Sequence, residues 1–349
     1  MKKNIPIFDG HNDTLLHLQD GLTSFFHPLE HTHIDYERAQ KSGFAGGFFA
    51  MYTPSPEREE NREDFMNENG YKFPLPEVIT QAEALTFTHK LASQLFRTEK
   101  ENPHTFRVVR NVKELKDSID QGKMAAIFHI EGAEAIDLSF DSLYVLYKTG
   151  LRSIGPVWSR NNDFGEGVPF CYPSSPDTGD GLTEKGFELL HHCNHLGIMV
   201  DTSHLTERGF WNVAHATVAP VVATHSNVHS LCPNARNLTD EQIRTIADSG
   251  GVIGINFAVN MLRADGKFDT DVSMEEIIAH FRYIADFVGV DHVAFGSDFD
   301  GTTIPDVLQD VTGSRKVLEA LEEDGFTEDE LEKIAWKNWV RVLEETWED

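Results

Sequence analysis

The stretch Ile5-Pro6-Ile7-Phe8-Asp9-Gly10-His11-Asn12-Asp13 decides the fold. It opens as a short apolar run and ends in His-x-Asp. Residues i and i+2 of a strand share a face, so His11 and Asp13 aim an imidazole and a carboxylate at one point beyond the strand's end. A nitrogen and an oxygen donor held together suit a zinc-class divalent ion. The same layout then recurs along the chain. Apolar runs at Gly43–Met51, Met124–Ile130, Leu151–Val157, Gly197–Val200, Pro220–Thr224, Gly251–Phe257 and His292–Phe295 alternate with longer amphipathic stretches. Those stretches include Pro76–Glu99, Phe140–Thr149, Thr183–Leu196, Thr206–His215, Asp240–Ser249 and Met274–Val288, with Thr239 or Asp240 as an N-cap. Eight strand–helix alternations predict a distorted (β/α)8 TIM-type barrel, one domain over residues 1–349. A doubly wound sheet would want Gly-x-Gly-x-x-Gly after the first strand, and none stands there.

Three segments exceed a minimal barrel: Thr53–Leu75, Arg160–Gly181 and Met261–Ser273. All leave from strand C-termini, so they are expected as long βα loops over the rim where a barrel keeps its site. Glu328–Trp347 reads as an amphipathic helix whose tryptophans pack rather than bind.

A net charge of −27 argues against nucleic acid or an anionic membrane surface as partner, since both call for Lys and Arg. The three cysteines, Cys171, Cys193 and Cys232, show no CxxC spacing and suggest a reducing compartment. No apolar core of a signal peptide and no run of about 18 apolar residues is evident, so a cytoplasmic location is expected.

The polar residues sit where the strands end. The third run leads to Glu131, the fifth to Asp201-Thr202-Ser203-His204, the sixth to His225 and the eighth to Asp298. His11, Asp13, Glu131, His204, His225 and Asp298 therefore converge on one rim. Three histidines and three carboxylates suit two ions, with Glu131 as the bridge. Two ions about 3.5–4 Å apart share a hydroxide and polarise a carbonyl, leaving Asp298 to move the proton. His129 shares Glu131's face and is a weaker supporting candidate. Asp300 reads as support for a ligand from behind, while His31-x-His33, His191, His192 and His195 read as surface or packing residues.

These residues resemble the renal (membrane) dipeptidase-type metallopeptidases, in a cytoplasmic bacterial-style form. The matching stretches are Phe8–Asp13, Ile130-Glu131-Gly132, Gly181-Leu182-Thr183, Asn194–Gly197, Asp201–His204, Thr224-His225-Ser226, Ala235–Asp240, Gly296–Gly301 and Asn338-x-x-Arg341. The resemblance implies hydrolysis of dipeptides, with tolerance of a C-terminal D-residue, and two zinc ions per chain. One ion would lie on His11, Asp13 and Glu131, the other on Glu131, His204 and His225. Asp298 would serve the proton transfers and Arg236, eleven residues after His225, would pair with the substrate carboxylate. A homodimer is a further expectation of the resemblance. Two positions depart from it. Trp158 occupies a substrate-contacting position held by histidine in the renal enzyme, and Ala258 one held by tyrosine. A dizinc hydrolase of another amide, an N-acyl amino acid or a lactone would use the same metal residues, and a metal-retaining binding protein without turnover is the alternative of another class. Manganese or cobalt would suit the same ligands.

Overall fold

The computed structural model describes residues 5–56 and 61–347. The strands in chain order are β1 Ile7–Asn12, β2 Phe44–Tyr52, β3 Met66–Asn67, β4 Gly70–Lys72, β5 Phe106–Val108, β6 Met124–Glu131, β7 Leu151–Gly155, β8 Cys171–Tyr172, β9 Met199–Val200, β10 Val222–Ala223, β11 Val252–Ile255 and β12 Val293–Phe295. The frame is a curled, all-parallel sheet in two arcs. One runs β1-β2-β6-β7-β9 and the other β10-β11-β12. Among the described residues single parallel bridges join the arcs, Asp201 with Val222 and Asn12 with Phe299. Backbone bonds reinforce both seams: Thr202 N–H to Val222 O at 2.9 Å, Asp13 N–H to Phe299 O at 2.9 Å and Asp298 N–H to His11 O at 3.0 Å. The expected eight-stranded frame is thus present as eight parallel strands, several of only two to four residues.

Side-chain alternation divides two cores. One face of the strands packs against the helices through residues such as Ile7, Phe49, Phe128 and Ile253. The concave face carries Phe8, Phe48, Ile127, Met199, Val222, Val252 and Ala294. Along β6 the same face reads Ala125, Ile127, His129, Glu131, apolar at its start and polar at its C-terminal end. The floor below is sealed by Trp339, fully buried, whose indole N–H donates to Phe295 O at 3.0 Å.

The helices over Gln81–Glu101, Asp141–Thr149, Glu184–Leu196, Glu207–Ala216, Asp240–Asp248 and Met274–Val288 fall where periodicity predicts them. Thr239 is the N-cap and forms a capping box with Gln242. Three differences stand out. A strand, β5, and a helix, Val112–Asp120, lie between the second and third expected strands. β5 pairs with the beginning of β6, on the edge that β7 takes over farther along. The expected tail helix is broken: Glu328–Glu332 and Asn338–Thr346 are α-helical, while Lys333–Lys337 forms a π turn.

The three excursions build a roof over the C-terminal strand ends. β3 and β4 form a hairpin in Thr53–Leu75, of which residues 57–60 lie outside the described residues, and β4 pairs antiparallel with β8 from Arg160–Gly181. Tyr71 of β4 stacks on Tyr172 and on Phe268 of the third excursion, with centroids at 6.1 and 4.9 Å. Its hydroxyl accepts bonds from Asn234 and Asn260, each at 2.8 Å.

Candidate metal centre

All six predicted metal and proton-transfer residues meet beneath that roof. His204 Nε2 and His225 Nε2 lie 3.0 and 3.3 Å from Glu131 Oε1, and His11 Nε2 lies 3.6 Å from it. His11 Nε2 is 3.3 Å from Asp13 Oδ2. Two groups have ligand atoms within 4.8 Å of one another: His11, Glu131 and His225; and His11, Asp13 and Asp298. Glu131 and His11 stand at the centre, and Asp298 comes close enough to share the ligand cluster.

Hydrogen bonding fixes how the imidazoles face. Thr224 Oγ1 donates its only proton to Asp201 Oδ2 at 2.6 Å, so it must accept from His225 Nδ1–H at 2.7 Å. That leaves a lone pair on His225 Nε2. Arg236 Nη2 stands 3.2 Å from His204 Nε2 and can only donate, so this nitrogen is also unprotonated, and His204 Nδ1 bonds Ser159 Oγ at 2.9 Å. Two lone-pair nitrogens 3.0 Å apart, both facing a carboxylate oxygen, repel one another unless a cation stands among them. His11 offers both ring nitrogens, and Asp13 its Oδ1, buried and without a hydrogen-bond partner. The donor set fits divalent metal ions by chemistry and by these unmet valences.

Protonation points the same way. Burial drives His204 and His225 well below the usual imidazole range, with Arg236 and His11 adding to it. Burial also works against a charged His11, but Glu131 and Asp13 outweigh it and lift that ring to about 10. Glu131 is raised well above the ordinary glutamate value, chiefly by burial. Asp298 is lifted to about 6 by burial, with Asp13 adding and His11 opposing. The carboxyl groups around His11 hold a proton on its ring, the place of positive charge that a bound cation would take over.

Local backbone explains the placement. Asp298 has φ 60°, a left-handed conformation uncommon outside glycine, and Asn256 Nδ2 donates to its Oδ2 at 2.8 Å. At Gly301 a Cβ would stand 2.1 Å from Asp13 Oδ2 and 2.6 Å from Asp298 Oδ1, so only glycine leaves those carboxylates room. Asp201 and Asp9 were not singled out from sequence. Asp201 accepts from Ser203 and Thr224 and anchors the loop bearing His204. Asp9 accepts from the Ser297 backbone and hydroxyl, both at 2.7 Å, and burial lifts it to about 7. In Thr224-His225 the neighbouring hydroxyl orients the ligand ring, a signal that sequence carries, whereas the His204 ring is oriented by Ser159 from another loop.

A cavity of about 190 Å³ opens on the centre, lined among others by Asp13, Glu131, Trp158, His204, Arg236, Ala258 and Asp298. Trp158 packs on Tyr52 and faces the His204 ring at a centroid distance of 5.9 Å. Arg236 reaches the cavity, as expected, and also takes a part that sequence did not indicate. Its Nη1 donates to Ser203 O and Ser226 Oγ, and its Nη2 to His225 O at 3.2 Å. Asp300 does not back a ligand. Its carboxylate accepts from Thr14 Oγ1 and from the His33 backbone N–H, which ties the first loop to the last. His129 bonds Ser153 Oγ at 2.9 Å and lies edge-on to His11, behind it.

Comparison with known proteins agrees with this geometry. Residues 1–348 match the family model described as membrane dipeptidase, peptidase family M19. The chain belongs to the membrane dipeptidase family. A metallopeptidase from Rhodobacter sphaeroides, solved with a phosphinate mimic of the dipeptide L-Ala-D-Ala, is 43% identical with a TM-score of 0.95, covering 99% of this chain and 100% of that one. A second solved member, described as dipeptidase AC, is also 43% identical, with a TM-score of 0.94 and 99% of each chain covered. An uncharacterized protein of Acinetobacter calcoaceticus is 38% identical over 82% of this chain and 91% of its own. The family is one of metallopeptidases, and the His, Glu and Asp cluster is where this member can bind metal. No helix of the described residues is long and apolar enough to cross a membrane.

Proposed function

We propose that this protein hydrolyses the peptide bond of dipeptides at a centre of two divalent ions, zinc by donor type. The observation that carries the reading is the pair of unprotonated nitrogens, His204 Nε2 and His225 Nε2, converging on Glu131 Oε1 in a chain of a dipeptidase family. His11, Asp13 and Glu131 would hold one ion, and Glu131, His204 and His225 the other. Bound there, such ions lower the pKa of water and polarise the scissile carbonyl.

The chain's own residues do the rest. Asp298 accepts the proton of the attacking water and carries it to the leaving amine, its carboxylate held in place by Asn256. Arg236 would take the substrate's C-terminal carboxylate through the Nη2–H that faces His204 Nε2 at 3.2 Å, a donor that would be released were His204 to hold an ion. Trp158 walls the cavity, fixes the His204 ring by contact and keeps water out. Acceptance of a C-terminal D-residue is part of the same reading, supported by the L-Ala-D-Ala mimic in the R. sphaeroides relative. So is a single distorted barrel domain, supported by the bridges that join the two arcs at both seams. A cytoplasmic setting is supported by three buried cysteines with free thiols.

The test is amino-acid release from L,L and L,D dipeptides beside their N-acetylated forms, before and after chelation. Metal-dependent cleavage of the free dipeptides, lost on acetylation, is the expected result. Cleavage of the acetylated set at equal rates would replace this reading with that of a general amide hydrolase.

A further inference from the structure

The roof encloses a second, larger cavity of about 660 Å³ that adjoins the metal cavity, with Phe170, Asn260, Asp300, Gly301 and Thr302 lining both. The inner cavity, at about 190 Å³, is below the roughly 300–1,000 Å³ of most ligand pockets, and the vestibule offers room for a substrate side chain beside it.

Its wall is largely aromatic and aliphatic, and among the described residues that line it Arg62 and Asp300 carry formal charge. Asp300 is already satisfied: its side chain is 1% exposed and is held by Thr14 and His33. Arg62 is not. Its guanidinium carbon lies 3.8 Å from the centroid of the Phe268 ring and 5.1 Å from that of Phe73. Among the described residues it has no carboxylate partner and donates no hydrogen bond. Stacking holds a guanidinium flat and oriented, while its edge N–H groups stay free to grip a carboxylate through two parallel bonds. The rings cover one side of the cation, and Arg62, an exposed residue, keeps the other open to a ligand.

We propose that Arg62 selects dipeptides bearing an acidic side chain, pairing with an aspartyl or glutamyl carboxylate that enters the vestibule while the peptide bond lies at the metal centre. The inference rests on the dipeptidase reading and adds its substrate class. Lysine at this position would keep the charge and lose the fork and the stack.

The experiment compares kcat/KM for isosteric pairs, Asp-Ala against Asn-Ala and Ala-Asp against Ala-Asn, in zinc-loaded wild type, Arg62→Gln and Arg62→Lys. The wild type should prefer the acid over its amide by about tenfold at one of the two positions, chiefly through KM. Arg62→Gln should bring that ratio close to one, Arg62→Lys should retain only part of it, and added salt should weaken it in the wild type. No acid preference, or one that survives in Arg62→Gln, overturns the assignment while leaving the dipeptidase reading intact. Failure to cleave any of the four peptides overturns the dipeptidase reading, and this one with it.

Discussion

Asp298 is the side chain asked to do the most chemistry. Its left-handed backbone tolerates asparagine, and Asn256 can donate to the Oδ1 that an amide would present. Asp298→Asn should therefore fold and keep its metal, while kcat falls by about 10²–10⁴-fold; metal analysis beside initial rates checks both halves. Unchanged turnover would remove Asp298 from the mechanism. A second residue gives a pH signature away from the metal centre. His280 is buried between the Val228 N–H, which it accepts at 3.2 Å, and Leu262 O. Burial lowers it from 6.5 to about 4. The unfolded chain thus binds the extra proton between those values. The contribution is full above pH 6.5 and is lost as pH falls towards 4, about 3 kcal/mol in all. Denaturant melts across that window should show the slope in wild type and a flatter one in His280→Gln. At this scale the ligands were legible because each ends an apolar run. Asp201, Asp9 and Ser159 were not, because their roles depend on partners such as Thr224, Ser297 and His204 that only folding brings near.

Gly10 shows what an element must give up to place a ligand. A Cβ there would stand 2.3 Å from Thr224 O and 2.5 Å from Trp339 Cζ2, so β1, the β10 end and the last helix meet at one point. Gly10→Ala should cost about 1–3 kcal/mol and, by displacing neighbouring His11, weaken metal binding as well; melts with and without excess zinc separate the two losses. Trp339→Ala removes the floor of the concave core and its bond to Phe295 O, and should cost about 3–5 kcal/mol. Helix periodicity located Met274–Val288 to the residue. The same reasoning missed β5, since Phe106-Arg107-Val108 is too short for a period, and passed over the π turn at Lys333–Lys337, where the apolar pattern continues unbroken.

For the whole molecule, the eight parallel strands of the two arcs were legible, while β5, the roof strands and the degree of closure were not. Strands of two residues, such as β9 and β10, form too few ladder bonds to read from sequence, and the polar loops that follow them supply the remaining contacts at the seams. Those same loops carry Asp201, His204 and His225, so the metal centre and the seam between the arcs are one structure. Removing the metal should then act on global stability. At a free ion concentration of 100 times Kd, a bound ion adds about 2.7 kcal/mol, so chelation should lower Tm by several degrees, reversibly on adding zinc back. An unchanged Tm after proven metal removal would uncouple the site from the fold.

The most direct test of the account is stoichiometric. Chelator-stripped protein is titrated with zinc while bound metal and Ala-Ala hydrolysis are followed together, for wild type and Glu131→Gln. Wild-type activity should rise until two ions are bound per chain, and Glu131→Gln should lose both tight binding of the pair and turnover. Activity that saturates at one ion, or persists in the stripped protein, would contradict it.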